Sequence, residues 1–395
     1  MSTDKNTKIE TRLVHAGRAP HQNHGVVNPP IYHASTILQP TLDAWDAVRN
    51  PGYTGYSYGR FGTPTSRSLE GAVAELYGAD EAVAVSSGLA AISVGLMTLT
   101  KAGDHILVTD SAYYPCRKIC DGVLKKYGVE TTYYDPTIGA GIAALIRPET
   151  SLIVTESPGS VTFEVQDIPA IVVAAQARGV KVMADNTWAT ALYFNPFDHG
   201  VDVVVEAATK YIGGHSDVMM GLVLSRGPNA RAARSTANAL GHCSGADDLY
   251  LAQRGLRTMA VRLARCQETG LTLARWLKAR PEVARVLHPA LPGDPGHAIW
   301  QRDFRGASGL FSFVLHPVER PALARFLDGL SLFGMGASWG GYESLIMPND
   351  PRAIRTATRW TDPGPLLRIH AGLEDPADLI ADLEAGFERL AAARR

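Results

Sequence analysis

Three short segments carry residue types whose spacing could do chemistry. In Val201-Asp-Val-Val-Val-Glu-Ala-Ala-Thr209-Lys210-Tyr-Ile-Gly-Gly, a lysine follows an apolar run in a Gly-flanked setting. Desolvation and a neighbouring cation would lower the pKa of that amine and leave it nucleophilic. A solvated loop lysine is the plainer reading of Lys210 taken alone. In Gly179-Val-Lys-Val-Met-Ala-Asp185-Asn-Thr-Trp, a carboxylate stands directly after another apolar run. There it could hold a protonated ring nitrogen, or it could simply close an Asx turn. In Glu81-Ala-Val-Ala-Val-Ser-Ser-Gly88-Leu89-Ala-Ala-Ile-Ser, a β-type run breaks at Ser-Ser-Gly and a helical pattern begins. Gly88 lets a ligand approach the backbone, and the free N–H groups of a helix start favour an anion such as phosphate. An ordinary Ser-capped helix would look the same.

The elements that position these groups follow from hydrophobic pattern. Short β-branched runs at 81–85, 105–108, 152–154, 180–184, 201–205 and 221–224 alternate with helical segments. That alternation predicts parallel β-α-β units, with ligands at the carboxyl ends of the strands. Residues 1–60 are polar and aromatic, lack a sustained period and read as an extended arm. Beyond 255, Leu256, Met259, Leu263, Cys266, Gly270, Leu273 and Leu277 recur at steps of three and four. The spacing predicts one long helix. With strands at 309–314 and 366–370 and a closing helix at 376–390, residues 256–395 read as a smaller α+β domain behind a ligand-binding domain at 61–255.

Composition bounds the function. Lys and Arg number 38 against 39 Asp and Glu, a formal net charge of −1, which offers no electrostatic footprint for nucleic acid or for an anionic membrane. With 46% apolar and 19% charged residues the chain has the makeup of a globular protein with a packed core. Four cysteines are too few for a disulfide scaffold. Cys116 and Cys120 lie one helical turn apart, but no second close pair completes a zinc set, so buried thiols are expected and no metal. The polar N-terminus lacks the basic start and apolar run of a secretory signal, and no stretch of 18 apolar residues occurs, so the expectation is a cytoplasmic protein. A nicotinamide-binding Rossmann domain is disfavoured, because no Gly-x-Gly-x-x-Gly follows the first strand.

Taken together, a phosphate cradle, an Asp and a Lys at the ends of three strands are the grips that pyridoxal 5'-phosphate needs, for its phosphate, its pyridinium nitrogen and its aldehyde. At this point the sequence resembles the pyridoxal-phosphate enzymes of cysteine and methionine metabolism. The resemblance is carried by Tyr58-Gly-Arg60-Phe-Gly-Thr-Pro-Thr, Ser86-Ser-Gly-Leu-Ala-Ala, Glu156-Ser-Pro-Gly, Asp185-Asn-Thr-Trp, Thr209-Lys210-Tyr-Ile-Gly-Gly-His-Ser-Asp and Leu367-Arg368-Ile-His-Ala-Gly-Leu-Glu-Asp. It implies an α/β, type I (aspartate-aminotransferase-like) fold with a mostly parallel central sheet.

The resemblance also implies roles. Lys210 would condense with the cofactor aldehyde and move protons, and Asp185 would partner the ring nitrogen. Gly88 and Leu89 N–H groups with the Thr209 hydroxyl would hold phosphate. Tyr113 would stack on the ring, and Tyr58 and Arg60 would reach the phosphate of a neighbouring subunit in a homotetramer with shared active sites. Arg368 would clamp the α-carboxylate of a small-molecule amino-acid substrate, aided by Ser338 and Trp339.

The family's reactions include β-elimination, γ-elimination and γ-replacement on sulfur amino acids. Glu156-Ser-Pro-Gly-Ser lacks the Asn-Pro common in γ-enzymes, Ser338-Trp-Gly-Gly-Tyr342 carries unusual aromatics, and Ala207 stands where Ser is frequent. These features favour β-elimination of a thioether such as cystathionine to homocysteine, pyruvate and ammonia. The alternatives are a methionine γ-lyase or other carbon–sulfur lyase, and a regulatory cofactor-binding protein without catalysis.

Overall fold

A computed structural model describes residues 7–50 and 52–393. Positions 1–6 and 51 of the expected arm lie outside the described residues. The rest of that arm is not wholly irregular, since short helices form at Ile9–His15 and Leu42–Ala47.

Seven strands build the larger sheet: β1 (Glu81–Val85), β2 (His105–Thr109), β3 (Glu130–Tyr134), β4 (Thr150–Glu156), β5 (Lys181–Asp185), β6 (Val203–Glu206) and β7 (Gly221–Ser225). Their order is β1-β7-β6-β5-β4-β2-β3. The five strands from β3 to β6 run parallel, as the alternation with helices predicts. The expectation of parallel units fails at β7, which is antiparallel to both β6 and β1. The reason is local: no helix separates β6 from β7, so the chain turns back on itself through residues 207–220.

The central strands are continuous apolar runs because both faces are covered. Leu107, Ile153, Val182, Ala184 and Val204 belong to one buried cluster, and Val108, Leu152, Val154, Met183, Val203 and Val205 to the other. Each fully buried Val, Leu or Ile contributes roughly 1.5–3 kcal/mol.

A second, antiparallel sheet has the order β10-β11-β9-β8, from β8 (Val283–Leu287), β9 (Leu310–Leu315), β10 (Leu345–Asn349) and β11 (Leu366–His370). The long helix expected from Leu256 onward starts at Met259 and runs to Lys278, while Leu256 closes a separate helix, Ala246–Leu256. The three-and-four spacing continues across the break because both helices bury their apolar faces. Helices Met259–Lys278 and Pro376–Ala392 bury Leu273, Leu277, Leu379, Leu383 and Phe387 against Phe311, Phe313, Leu367 and Ile369. Alternation along β11 therefore turns Arg368 to the opposite face, the one that looks toward the larger sheet.

Candidate active site

A cavity of about 550 Å³ opens over the carboxyl ends of the parallel strands and is closed from the other side by the second sheet. Lys210, Asp185, Gly88, Leu89, Thr209, Tyr113, Ser338, Trp339 and Arg368 all line it. Residues up to 280 positions apart in the expectation thus meet in one place. Tyr58 and Arg60 do not line it. Arg60 donates to the Asn238 carbonyl at 2.6 Å and stacks over Phe61, and the Tyr58 side chain is exposed.

Lys210 sits in the bend between β6 and β7. Its Nζ donates to Ser338 Oγ at 2.6 Å and lies 5.4 Å from the centre of the Trp339 ring. Gly340 makes this packing possible: at φ +84° it avoids backbone strain, and a Cβ there would stand 3.1 Å from the Lys210 backbone. Burial, then repulsion from Arg368, pull the Lys210 amine down to about 8, against the attraction of Asp185. The solvated-loop reading of this lysine is thereby excluded.

Asp185 ends β5 beside Glu156, which ends β4 in the same register pair. Its Oδ1 accepts from the Thr187 N–H at 3.0 Å and the Thr187 hydroxyl at 2.6 Å, and among the described residues no hydrogen bond engages Oδ2. The short turn bond and a strand end that opens on the cavity are both present, so the Asx reading and the ligand reading describe the same residue. Burial raises the Asp185 carboxyl despite the Thr187 donors and Lys210. Sequence reasoning overlooked Glu156 as a site residue, although it opens one of the quoted motifs. It accepts from the Tyr113 N–H at 2.6 Å, and burial followed by repulsion from Asp185 raises it well above the usual carboxylate range.

Gly88 begins the helix Gly88–Leu99, capped by the Ser87 hydroxyl, which accepts from Ala90 N–H at 3.1 Å. The N–H groups of Gly88 and Leu89 stand ahead of the first intrahelical bond, the Ala91 N–H to Ser87 carbonyl. A Cβ on Gly88 would come within 2.6 Å of the Ala207 side chain. Thr209 differs from its expected role in one respect. Its hydroxyl donates to the Met220 carbonyl at 3.1 Å and accepts from the Met220 N–H at 2.9 Å, so its one proton must leave that carbonyl to reach a phosphate.

Arg368 donates from Nη2 to the Ser338 carbonyl at 3.1 Å and touches Met347 Sδ at 3.0 Å. Among the described residues it has no carboxylate partner, and burial lowers the guanidinium to about 10. A buried cation without an anion is costly unless a ligand supplies one. Tyr113 has its phenol raised by burial and by Glu156 and Asp185, against Arg368.

These groups fit pyridoxal 5'-phosphate with an amino acid beside it. Open N–H groups suit the phosphate, Asp185 Oδ2 the ring nitrogen, Lys210 the aldehyde and Arg368 a carboxylate.

Comparison with known proteins points the same way. The profile of the Cys/Met metabolism PLP-dependent enzyme family matches residues 10–388. A putative cystathionine beta-lyase of Rhizobium johnstonii is 49% identical over 390 residues, covering 97% of this chain and 96% of the relative. The cystathionine beta-lyase of Escherichia coli K12 is 45% identical over 390 residues, with 97% and 99% covered. An L-alanine/L-glutamate racemase of Wolbachia pipientis is 42% identical over 395 residues, with 97% and 98% covered. Among solved structures, cystathionine gamma synthase of Xanthomonas oryzae in complex with aminoacrylate and cysteine superposes with a TM-score of 0.88 at 32% identity, with 98% and 99% covered.

Proposed function

This chain belongs to the Cys/Met metabolism pyridoxal-phosphate-dependent enzymes, and we propose that within that family it is a cystathionine β-lyase. The reaction is β-elimination of L-cystathionine with one water, giving homocysteine, pyruvate and ammonia. The observation that carries the reading is the convergence, in one cavity, of a buried amine lowered to about 8 with a strand-end carboxylate oxygen and a buried guanidinium that, among the described residues, have no charged partner. Relatives of 49% and 45% identity, the first a putative cystathionine beta-lyase and the second a cystathionine beta-lyase, support β-elimination over the racemase and γ-synthase chemistries of other relatives. So does the segment Glu156-Ser-Pro-Gly-Ser160 on the cavity wall, which lacks the Asn-Pro common in γ-enzymes.

When bound, pyridoxal 5'-phosphate supplies the electron sink that lets the Cα proton leave. The chain's own residues do the rest. Arg368 holds the α-carboxylate by a bidentate fork, which fixes the Cα–H direction. Ser338 and Trp339 confine Lys210 Nζ to the cavity. Lys210 Nζ removes the Cα proton and delivers a proton to the sulfur as the Cβ–S bond breaks. Asp185 Oδ2 would hold the protonated ring nitrogen of the cofactor, and Tyr113 would stack on its ring.

The assembly belongs to the same reading. Tyr58 and Arg60 are exposed or turned away from their own cavity. We read them as groups lent to the phosphate site of a second copy in a cytoplasmic homotetramer, with an arm at 1–60, a cofactor domain at 61–255 and a closing domain at 256–395.

Product analysis tests the reaction. The holoenzyme should release pyruvate and homocysteine in equal amounts from L-cystathionine. Release of 2-oxobutyrate and cysteine would make it a γ-lyase, and formation of D-alanine from L-alanine without cystathionine cleavage would make it a racemase.

A further inference from the structure

A second carboxylate, not used in the chemistry, stands at the edge of the same cavity. Asp110 directly follows β2, three residues before Tyr113, and is completely buried. Its Oδ1 accepts from the Thr356 N–H at 3.0 Å and from Arg117 Nη1 at 2.9 Å. Its Oδ2 accepts from the Ala357 N–H at 3.1 Å and from both the N–H and the hydroxyl of Thr358 at 2.7 Å. Arg117 is held in turn: its Nη2 donates to Thr356 Oγ1 at 2.9 Å, and its guanidinium lies 3.5 Å from the centre of the Tyr133 ring. Burial pushes the Asp110 carboxyl up, but the donors from Thr356, Thr358 and Ala357 outweigh it and hold the group below the usual carboxylate range.

The gripped residues, 356–358, directly continue a stretch of the cavity wall: Asn349, Asp350, Pro351, Ile354 and Arg355 line the same cavity as Tyr113 and Tyr114. A second pin fastens the wall's middle, where Arg355 Nη2 donates to Glu164 Oε1 at 2.9 Å and also to Thr162 Oγ1. Three successive N–H groups from one loop converging on one carboxylate fix that loop's position more tightly than isolated surface contacts could.

We propose that Asp110 is a positioning residue that latches the 350–358 wall and so sets how long a sulfur substituent the site accepts. The inference rests on the lyase reading. The reacting end of any substrate lies between Lys210 and Arg368, where Asp110 makes no contact. Only the far end of a long thioether reaches the wall.

The test compares the holoenzyme and its Asp110→Asn variant on L-cystathionine and on S-methyl-L-cysteine, whose substituent is a single methyl. The expected result is a KM for cystathionine raised about tenfold, with kcat and KM for S-methylcysteine within about twofold of wild type and the cofactor's visible band unmoved. Equal changes in KM for both substrates, or none for either, would overturn the latch. Thr358→Val removes a single hydroxyl donor to the same oxygen and should shift the ratio in the same direction by less. Hydrogen exchange reads the latch without any substrate: the 350–358 amides should exchange faster in the Asp110→Asn holoenzyme, and unchanged exchange would overturn the proposal. Failure of the wild-type holoenzyme to cleave either thioether would sink the lyase reading instead, and the exchange arm still decides the latch.

Discussion

Two polar regions lie within the same cavity wall and obey opposite rules. Around Asp110 every charge is met: one carboxylate, one guanidinium and a loop's N–H and hydroxyl groups satisfy one another, and the carboxyl is held low. Around Lys210 the charges are left open. Asp185 Oδ2 and the Arg368 guanidinium lack charged partners among the described residues, Glu156 and Asp185 are raised, and Lys210 is lowered. Both regions are buried, so burial alone does not set the pKa. For the carboxyls, it is whether enough donors converge to outweigh burial that decides the direction, as they do at Asp110 and do not at Asp185 and Glu156. The satisfied region builds the vessel, and the unsatisfied one awaits the cofactor and substrate.

Exchanging an arginine in each region breaks or sharpens that contrast most strongly. Arg368→Leu should lower kcat/KM for cystathionine by about a hundredfold to a thousandfold, since losing one partner of a buried charge pair costs roughly 2–5 kcal/mol. In the same variant the thermal midpoint of the ligand-free protein should hold or rise, because no protein anion loses a partner. Arg117→Leu should do the reverse. It strands Asp110 and should cost roughly 3–5 kcal/mol in denaturant unfolding. Equal stability losses in the two variants would erase the distinction.

Glu206 extends the comparison to a carboxyl with a single side-chain donor among the described residues. It is buried on β6, accepts from the Tyr77 hydroxyl, and burial, followed by repulsion from Asp185, raises it to about 8. Tyr77 and Asp185 are the titratable groups that act on it, and Asn186 donates to the Tyr77 oxygen at 2.9 Å. Between the unfolded-state value near 4.3 and pH 8 the folded protein keeps a proton that the unfolded chain releases. The stability it contributes is full below that range and is lost as pH rises to about 8, with a slope of at most about 1.4 kcal/mol per pH unit. Glu206→Gln removes the titration, so the variant should match wild type at pH 4 and exceed it at pH 8. Parallel curves across this range would place Glu206 with Asp110 among the satisfied carboxylates.

A smaller effect tests the open region before any turnover. Attachment of pyridoxal 5'-phosphate to the apoprotein needs the neutral Lys210 amine. Its rate should rise about tenfold per pH unit and level off near pH 8, followed by visible absorbance. A half-point near 10 would mean an amine that burial and Arg368 do not perturb.

Much of the open region was legible in the sequence, because each grip stands where an apolar run stops: Gly88 after β1, Asp185 as the last residue of β5, Lys210 after β6. The strands themselves were legible where both faces are buried. β3 was missed because Glu130-Thr-Thr-Tyr-Tyr is a polar edge strand, and β10 because Pro348 sits within it. β7 was placed correctly along the chain but in the wrong direction, since strand polarity depends on a missing crossover helix rather than on the strand's own residues. The satisfied region was illegible. Asp110 and Thr358 are 248 positions apart, and no spacing in the sequence links them. Long-range polar satisfaction leaves no local period to read.

Lys210 is the group on which proton movement at Cα and sulfur depends. Pyruvate release from L-cystathionine by the Lys210→Ala protein, supplied with pyridoxal 5'-phosphate and compared with wild type, tests this directly. The expected result is a loss of about a thousandfold or more, with cystathionine binding retained through Arg368. Pyruvate formation within tenfold of the wild-type rate would contradict it.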